Sequence, residues 1–125
     1  MEVIVFSNRD NSLKTLLLEE ISHVPDLKYR MIFDFDALFE TAPFKLSDVV
    51  MVFLISFEHE LDLLISNKRR LFHSRVVLIL PDAEKTMVSK GLSLRPRYMA
   101  QWSDRFKDVA AVLNKMVQNR KSGDT

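Results

Sequence analysis

The chain has 125 residues, no cysteine, two glycines and a net charge of +1. This length is typical of one domain with a substantial core, and the lack of cysteine excludes disulfides, thiolate catalysis and cysteine metal sites. Two glycines are too few for a glycine-rich phosphate loop or a dinucleotide fingerprint, and the small net charge argues against a dedicated nucleic-acid binder.

The first predicted elements are a strand over 3–6 and a helix over 13–24. Apolar residues recur at helical spacing through the second segment, and Asp10, Asn11 and Ser12 before it offer N-cap side chains. No basic region followed by a long apolar run precedes them, so a secretory signal is not expected and a cytoplasmic location is predicted.

The second and third predicted strands cover 29–33 and 49–55, with a short helix between them within 34–43. The run over 49–55 is apolar throughout, which is typical of a parallel strand buried on both faces. It is far shorter than the ~20 residues of a membrane helix, so no membrane association is predicted.

The rest of the chain continues the alternation of helices and strands. The predicted elements are a helix over 58–72, a strand over 76–80, a helix that Asp82 caps and that reaches Gly91, a strand over 98–102 and a helix over 103–117. Strands that alternate with helices predict an α/β fold of the (βα)5 type, a doubly wound three-layer sandwich around a parallel five-stranded sheet. One domain over 1–120 and a frayed tail over 121–125 are expected.

The element order and spacing resemble the receiver domain of two-component response regulators, the CheY-like group. The most telling segment is DFDALFETAPFKLSDVVMVFLIS at 34–56, in which Ala37-Leu38, Pro43 and Asp48-Val49-Val50 fall in the order typical of receivers. The resemblance implies a flavodoxin-like fold with strand order 2-1-3-4-5 and a role in bacterial signal transduction.

The same resemblance implies where a phosphorylation pocket would lie, and this chain lacks its chemistry. Receivers carry an acidic pair after strand 1, an aspartate at the end of strand 3, a Ser or Thr after strand 4 and a lysine after strand 5. The corresponding residues here are Ser7, Asn8, Phe53, Leu80 and Gln101. Aspartyl phosphorylation needs a carboxylate nucleophile, oxygen ligands for magnesium and a cation. A degenerate pocket filled by a hydrophobic plug, with no metal, cofactor or catalysis, is therefore predicted.

A second cluster surrounds the fifth predicted strand and the helix after it. Aromatic, methionine and arginine residues, which are enriched in interface cores, are frequent there. In receivers this surface of helix 4, strand 5 and helix 5 contacts partners and second copies. The predicted interaction face comprises Arg95, Arg97, Tyr98, Met99, Trp102, Arg105, Val112 and Met116. The alternative is that Tyr98 and Trp102 only complete the core and cover the sheet edge.

Three further features have both a functional and a structural interpretation. Glu58, His59 and Glu60 could hold a metal, but no second histidine follows at helical spacing, and a solvated first helical turn is favoured. The loops after strands 1, 3 and 4 could bind a small molecule or a flavin. A scattered set of cations could meet an acidic partner or nucleic acid, but nearby acids offset it and a solvated surface is favoured: Lys28, Arg30, Lys68, Arg69 and Arg70.

The sequence thus predicts a non-catalytic, receiver-like protein-interaction module that lacks the phosphoacceptor aspartate. Its expected partner is another protein or a second copy of the chain, and no nucleic-acid partner is expected. A small-molecule or flavin binder of flavodoxin-like fold is the alternative.

Overall fold

The computed structural model of the protein describes residues 2–34, 49–71, 74–102 and 106–123. The strands are β1 Glu2–Ser7, β2 Lys28–Ile32, β3 Val49–Leu54, β4 Arg75–Leu80 and β5 Tyr98–Gln101. The helices are α1 Leu13–Ser22, α2 Glu58–Ser66, the short α3 Lys68–Leu71, α4 Lys85–Ser93 and α5 Lys107–Gly123. None of these helices is both long and apolar enough to cross a membrane.

The five strands form one parallel sheet in the order β2-β1-β3-β4-β5, as predicted. β3 lies at its centre, with Phe53 opposite Phe6 on β1 and Leu78 on β4. Every residue of β3 is buried, because helices cover both faces of a doubly wound sheet. The continuous apolar run over Val49–Leu54 is explained by this central position.

Side-chain alternation along the strands divides the core into two layers. Val50, Val52 and Leu54 pack with α1 and α5 on one face. Met51 and Phe53 pack with α2 and α4 on the other. The predicted helix within 34–43 falls largely on residues outside those that the structure describes, so the (βα)5 count remains a prediction.

Several predicted helix boundaries are wrong: α1 ends at Ser22 and not at 24, and α5 ends at Gly123, beyond the predicted end at 117 and inside the predicted tail. Two further differences have a local reason. The helix predicted over 58–72 is divided, because Asn67 leaves the helical conformation and its side-chain amide donates a 2.9 Å hydrogen bond to the Leu63 carbonyl. The cap of α4 is Glu84 and not Asp82. The Asp82 carboxylate instead accepts a hydrogen bond of 2.8 Å from the Glu84 amide, which positions the capping residue.

Gly91 allows α4 to approach the sheet closely. A Cβ atom at this position would lie 3.0 Å from Met99 Sδ and 3.3 Å from Leu78 Cδ1. The glycine is therefore required for packing and not for an unusual backbone angle. On the outer side of the same helix, Lys90 bonds Glu58 at 2.9 Å and Asp62 at 2.7 Å, which joins α4 to α2.

The Glu84 cap predicts a pH-dependent contribution to stability. Hydrogen bonds of 3.1 Å from the Thr86 and Met87 amides lower the pKa of its carboxyl from 4.5. A depressed folded-state pKa stabilises the protein above pH 4.5, and this contribution is lost as the pH falls through the folded-state value. We expect Glu84→Gln to lower the melting temperature at pH 7 and to reduce its decline below pH 4.5. A melting-temperature series for both proteins measures this, and parallel pH profiles would contradict it.

Candidate functional site

The crevice between β1 and β3 at the carboxyl edge of the sheet is the expected site. The connections run in opposite directions from this point, with β2 on the far side of β1 and β4 on the far side of β3. The helix α1 after β1 therefore covers one face of the sheet, and α2 after β3 covers the other. Doubly wound folds bind ligands at this switch point. The strands that reach this edge end at Ser7, Leu54, Leu80 and Gln101.

Phe53 lies inside the core and not in an open pocket. Its side chain is 0% exposed and belongs to the layer beneath α2 and α4. Its ring centroid lies 6.1 Å from that of Phe6, at an interplanar angle of 50°. This tilted contact is a favourable geometry for an aromatic pair. The residue that the sequence analysis assigned to the phosphoacceptor position thus contributes to the core.

The polar residues at the end of β1 and in the loop after it are joined by local hydrogen bonds. The Ser7 hydroxyl is buried and donates to the Asn8 carbonyl at 3.0 Å, and the Asn8 side chain accepts from the Asp10 amide at 2.9 Å. Asn11 caps α1 by accepting from the Leu13 amide at 2.9 Å, so the capping side chain is Asn11 rather than Asp10 or Ser12. These groups hold the loop in place.

A hydrogen bond crosses the crevice itself. The Asn11 side-chain amide donates to the Ser56 hydroxyl at 2.9 Å and joins the loop after β1 to the loop after β3. Asn11 is buried. Because the bond spans the switch point between the two strands, it occupies the entrance that a ligand would use.

The other two predicted pocket residues differ in burial. Leu80 is buried with Gly91 and Met99 in the layer beneath α4, and Gln101 is half-buried beside it on β5. Leucine has no hydroxyl and glutamine no charge, so neither could hold a phosphoryl group as receivers do. The structure brings the five predicted pocket residues to one edge of the sheet, without a carboxylate or a cation among them.

An open depression of 220 Å³ lies above this edge. Asn8, Asp10, Ser56, Phe57 and Trp102 line part of it. The Trp102 indole N–H is buried and has no hydrogen-bond partner among the described residues. The volume is below the roughly 300–1,000 Å³ of pockets that hold drug-sized ligands. The described residues alone therefore enclose less volume than such a ligand usually occupies.

The acidic cluster at the start of α2 does not converge on one point. Glu60 is 3% exposed and accepts hydrogen bonds from the Ser56 and Phe57 amides at 2.6 and 3.1 Å. Glu58 bonds Lys90, and exposed His59 stacks on Phe57 at 5.6 Å. Among the described residues, no group of His, Asp and Glu side chains could hold a metal. Glu60 is thus a helix cap, and the predicted solvated first turn is wrong for this residue, because its carboxylate turns back onto the backbone amides before α2.

The predicted interaction face is divided between the two sides of the sheet. Tyr98 and Trp102 pack against the layer beneath α1 and α5, as does Met116, whereas Met99 packs beneath α4. Val112 is half-buried on α5. Arg95 and Arg97 are exposed at the amino end of β5, and Arg105 lies outside the described residues.

Sequence reasoning missed Leu92, an exposed apolar residue beside this surface. It is 58% exposed near the end of α4. At about 100° per residue, it projects away from Lys90, which faces α2, and therefore lies on the flank toward β5. Among the described strands β5 pairs with β4 alone, so Leu92 lies beside an edge strand of the sheet.

No family model matches the chain, and neither does any curated protein sequence. Solved structures are similar to it. A Burkholderia thailandensis protein assigned to pilus assembly, CpaE, has a TM-score of 0.72 at 12% identity, covering 94% of this chain and 98% of its own. A response regulator receiver protein from Pseudoalteromonas atlantica has a TM-score of 0.71 at 12% identity and full coverage of both chains.

RcsB from Salmonella enterica serovar Typhimurium, solved bound to the promoter rprA, is also similar. Its TM-score is 0.71 at 18% identity, over 90% of this chain and 66% of the RcsB chain. Together with the strand order, these likenesses define the fold as that of response regulator receiver domains, the CheY-like form of the flavodoxin-like architecture.

Proposed function

We propose that the protein is a receiver-like interaction module of bacterial signal transduction that works without aspartyl phosphorylation and without catalysis. The observation that carries this proposal is the full burial of Phe53, an inert side chain at the position that the resemblance to receivers assigns to the phosphoacceptor. Signalling through such a domain would depend on the binding or abundance of a partner, because no charge switch is available at β3 to bias two conformations.

The surroundings of Phe53 support the proposal. Phosphoryl chemistry needs magnesium ligands and a compensating cation near the nucleophile. Ser7 and Asn8 are engaged in local hydrogen bonds, and Leu80 is buried. Asn11 and Ser56 bridge the crevice where the metal would enter. Restoring receiver chemistry would thus require more than one substitution.

Incubation with acetyl phosphate and magnesium tests the absence of phosphorylation. We expect no gain of a phosphoryl group by mass spectrometry and no magnesium-dependent change in amide chemical shifts on addition of beryllofluoride. A receiver domain with an intact aspartate is the positive control under the same conditions. A phosphorylated product that maps to any described residue of this edge would contradict the proposal.

The surface of α4, β5 and α5 is the proposed interaction face, with a second copy of the chain as its occupant. β5 is an edge strand, and Leu92 beside it is 58% exposed. A twofold dimer would bring the β5 edges of the two copies together and cover Leu92 of each copy, since the same surface of both copies forms such an interface.

Sedimentation of the protein at micromolar concentration measures this dimer. We expect Leu92→Glu to raise its dissociation constant by about tenfold or more, as the loss of a central apolar contact implies. Leu63→Glu is the matched control, because Leu63 is a leucine 43% exposed on α2. A monomeric wild-type protein, or equal weakening by both variants, would contradict the dimer.

A further inference from the structure

A larger concavity lies at the opposite, amino edge of the sheet, where β4 and β5 begin. Its volume is 450 Å³, within the roughly 300–1,000 Å³ range of small-molecule pockets. Its walls come from α3, the end of α4 and the segments that enter β4 and β5, with Lys68, Arg69, Leu71, Leu94, Arg95 and Arg97 among the lining residues. The amino ends of parallel strands meet at one edge, so segments distant in sequence converge here.

All the described charged residues that line this cavity are positively charged. Lys68, Arg69, Arg95 and Arg97 line it, and none of the described residues that line it is acidic. No ion pair joins any of these four cations to another described residue, whereas Arg30 and Lys90 elsewhere bind carboxylates. With a net charge of only +1 over the whole chain, four cations around one cavity, without an ion pair to any described residue, are a local excess.

The backbone fixes where the two arginines emerge. Arg95 follows the end of α4 in the left-handed region, with φ of 52°, and Pro96 after it has a fixed φ. The Arg97 amide donates a hydrogen bond of 2.7 Å to the Val76 carbonyl, which ties the segment to the start of β4. The backbone at Arg95 and Arg97 is therefore held in position, which reduces the conformational entropy that the protein loses on binding a ligand.

The lining also includes apolar surface. Leu71 is buried and Leu94 is half-buried, and both contribute to the cavity wall. Arginine binds phosphate oxygens with two parallel hydrogen bonds, and lysine adds a point charge. Cations around an apolar wall match a ligand with an organic part and phosphate groups. A concave cavity suits a small molecule better than the extended backbone of a nucleic-acid duplex.

We propose that this cavity binds a small organic phosphate of nucleotide size. Arg95 and Arg97 hold its phosphate groups, Lys68 and Arg69 add charge, and the leucines contact its organic part. This inference goes beyond the proposed function and does not rest on the absence of phosphorylation, because Phe53 lies toward the opposite edge of the sheet and takes no part in the cavity.

Titration of the full chain with ATP and with inorganic pyrophosphate, followed by amide chemical shifts, tests the proposal. We expect saturable shifts at Ser74, Leu94, Arg95 and Arg97 with both probes, and none there with adenosine, which lacks phosphate. Arg95→Gln combined with Arg97→Gln should weaken ATP binding by about tenfold or more, since two charge-assisted contacts are lost.

Lys85→Gln is the control for general electrostatic attraction, because it removes an exposed cation from the other end of α4 and does not line the cavity. We expect it to leave ATP binding unchanged. The proposal is overturned by the absence of saturable shifts at millimolar ATP, by equal weakening in the control, or by tighter binding of a short DNA duplex or an acidic peptide at the same residues and ionic strength.

Discussion

Replacing Phe53 with aspartate unfolds or severely destabilises the protein and does not create a phosphorylation site. The phenyl ring is fully buried against Phe6, and truncating a buried phenylalanine costs about 3–5 kcal/mol before any charge is added. Burial of an unpaired carboxylate adds further cost, because the core layer around it is apolar. The sum is comparable with the total stability of about 5–15 kcal/mol of an ordinary domain.

Urea denaturation monitored by circular dichroism measures this effect. Phe53→Leu is the control, since it keeps an apolar side chain and should cost only about 1–2 kcal/mol. A Phe53→Asp protein with nearly native stability would show that the side chain reaches solvent at the crevice. If that protein also accepted a phosphoryl group from acetyl phosphate, the proposed hydrophobic plug would be wrong.

We expect the second large effect on stability when Glu60 is replaced with alanine. This substitution distinguishes a helix cap from a metal or catalytic site. The carboxylate accepts from the Ser56 and Phe57 amides, and each hydrogen bond to a charged group contributes about 1.5–3 kcal/mol. Allowing for partial solvation of the freed amides, we expect the free energy of unfolding to fall by about 2–3 kcal/mol.

His59→Ala is the companion variant. His59 is exposed and contacts Phe57 by stacking, so its loss should change the stability by no more than about 0.5 kcal/mol. Glu60→Gln retains an acceptor oxygen and should lie between wild type and Glu60→Ala. Comparable effects of His59→Ala and Glu60→Ala, or a loss of bound metal on either substitution, would refute the capping role.

The central features of the fold were predictable because they follow from local chemistry. A strand buried on both faces must be apolar throughout, and Val49–Leu54 is. Alternating strands and helices restrict the crossovers to one hand, and the resemblance to receivers supplied the strand order that the structure has. The end of α2 at Asn67 and the start of α4 at Glu84 were not predictable, because each depends on the hydrogen bonds of one side chain.

The candidate site was predictable in its chemistry and not in its packing. That Phe53 cannot accept a phosphoryl group is a property of the side chain itself. That it packs on Phe6, and that Asn11 reaches Ser56 across the crevice, depends on strand register. Period-two alternation along the predicted strand, in contrast, already implied that Tyr98 and Met99 lie in opposite layers, so a single interaction face containing both was wrong.

The sequence by itself determined that β3 ends without a carboxylate, because the functional group that a side chain carries is fixed by its residue type. Only the tertiary structure decided which charges meet. Lys68 and Arg69 belong to one segment and Arg95 and Arg97 to another, and they share a cavity because β4 and β5 begin side by side at one edge of a parallel sheet. Charge of one sign concentrates where the chain topology brings separate segments together, and neither spacing nor composition contains that information.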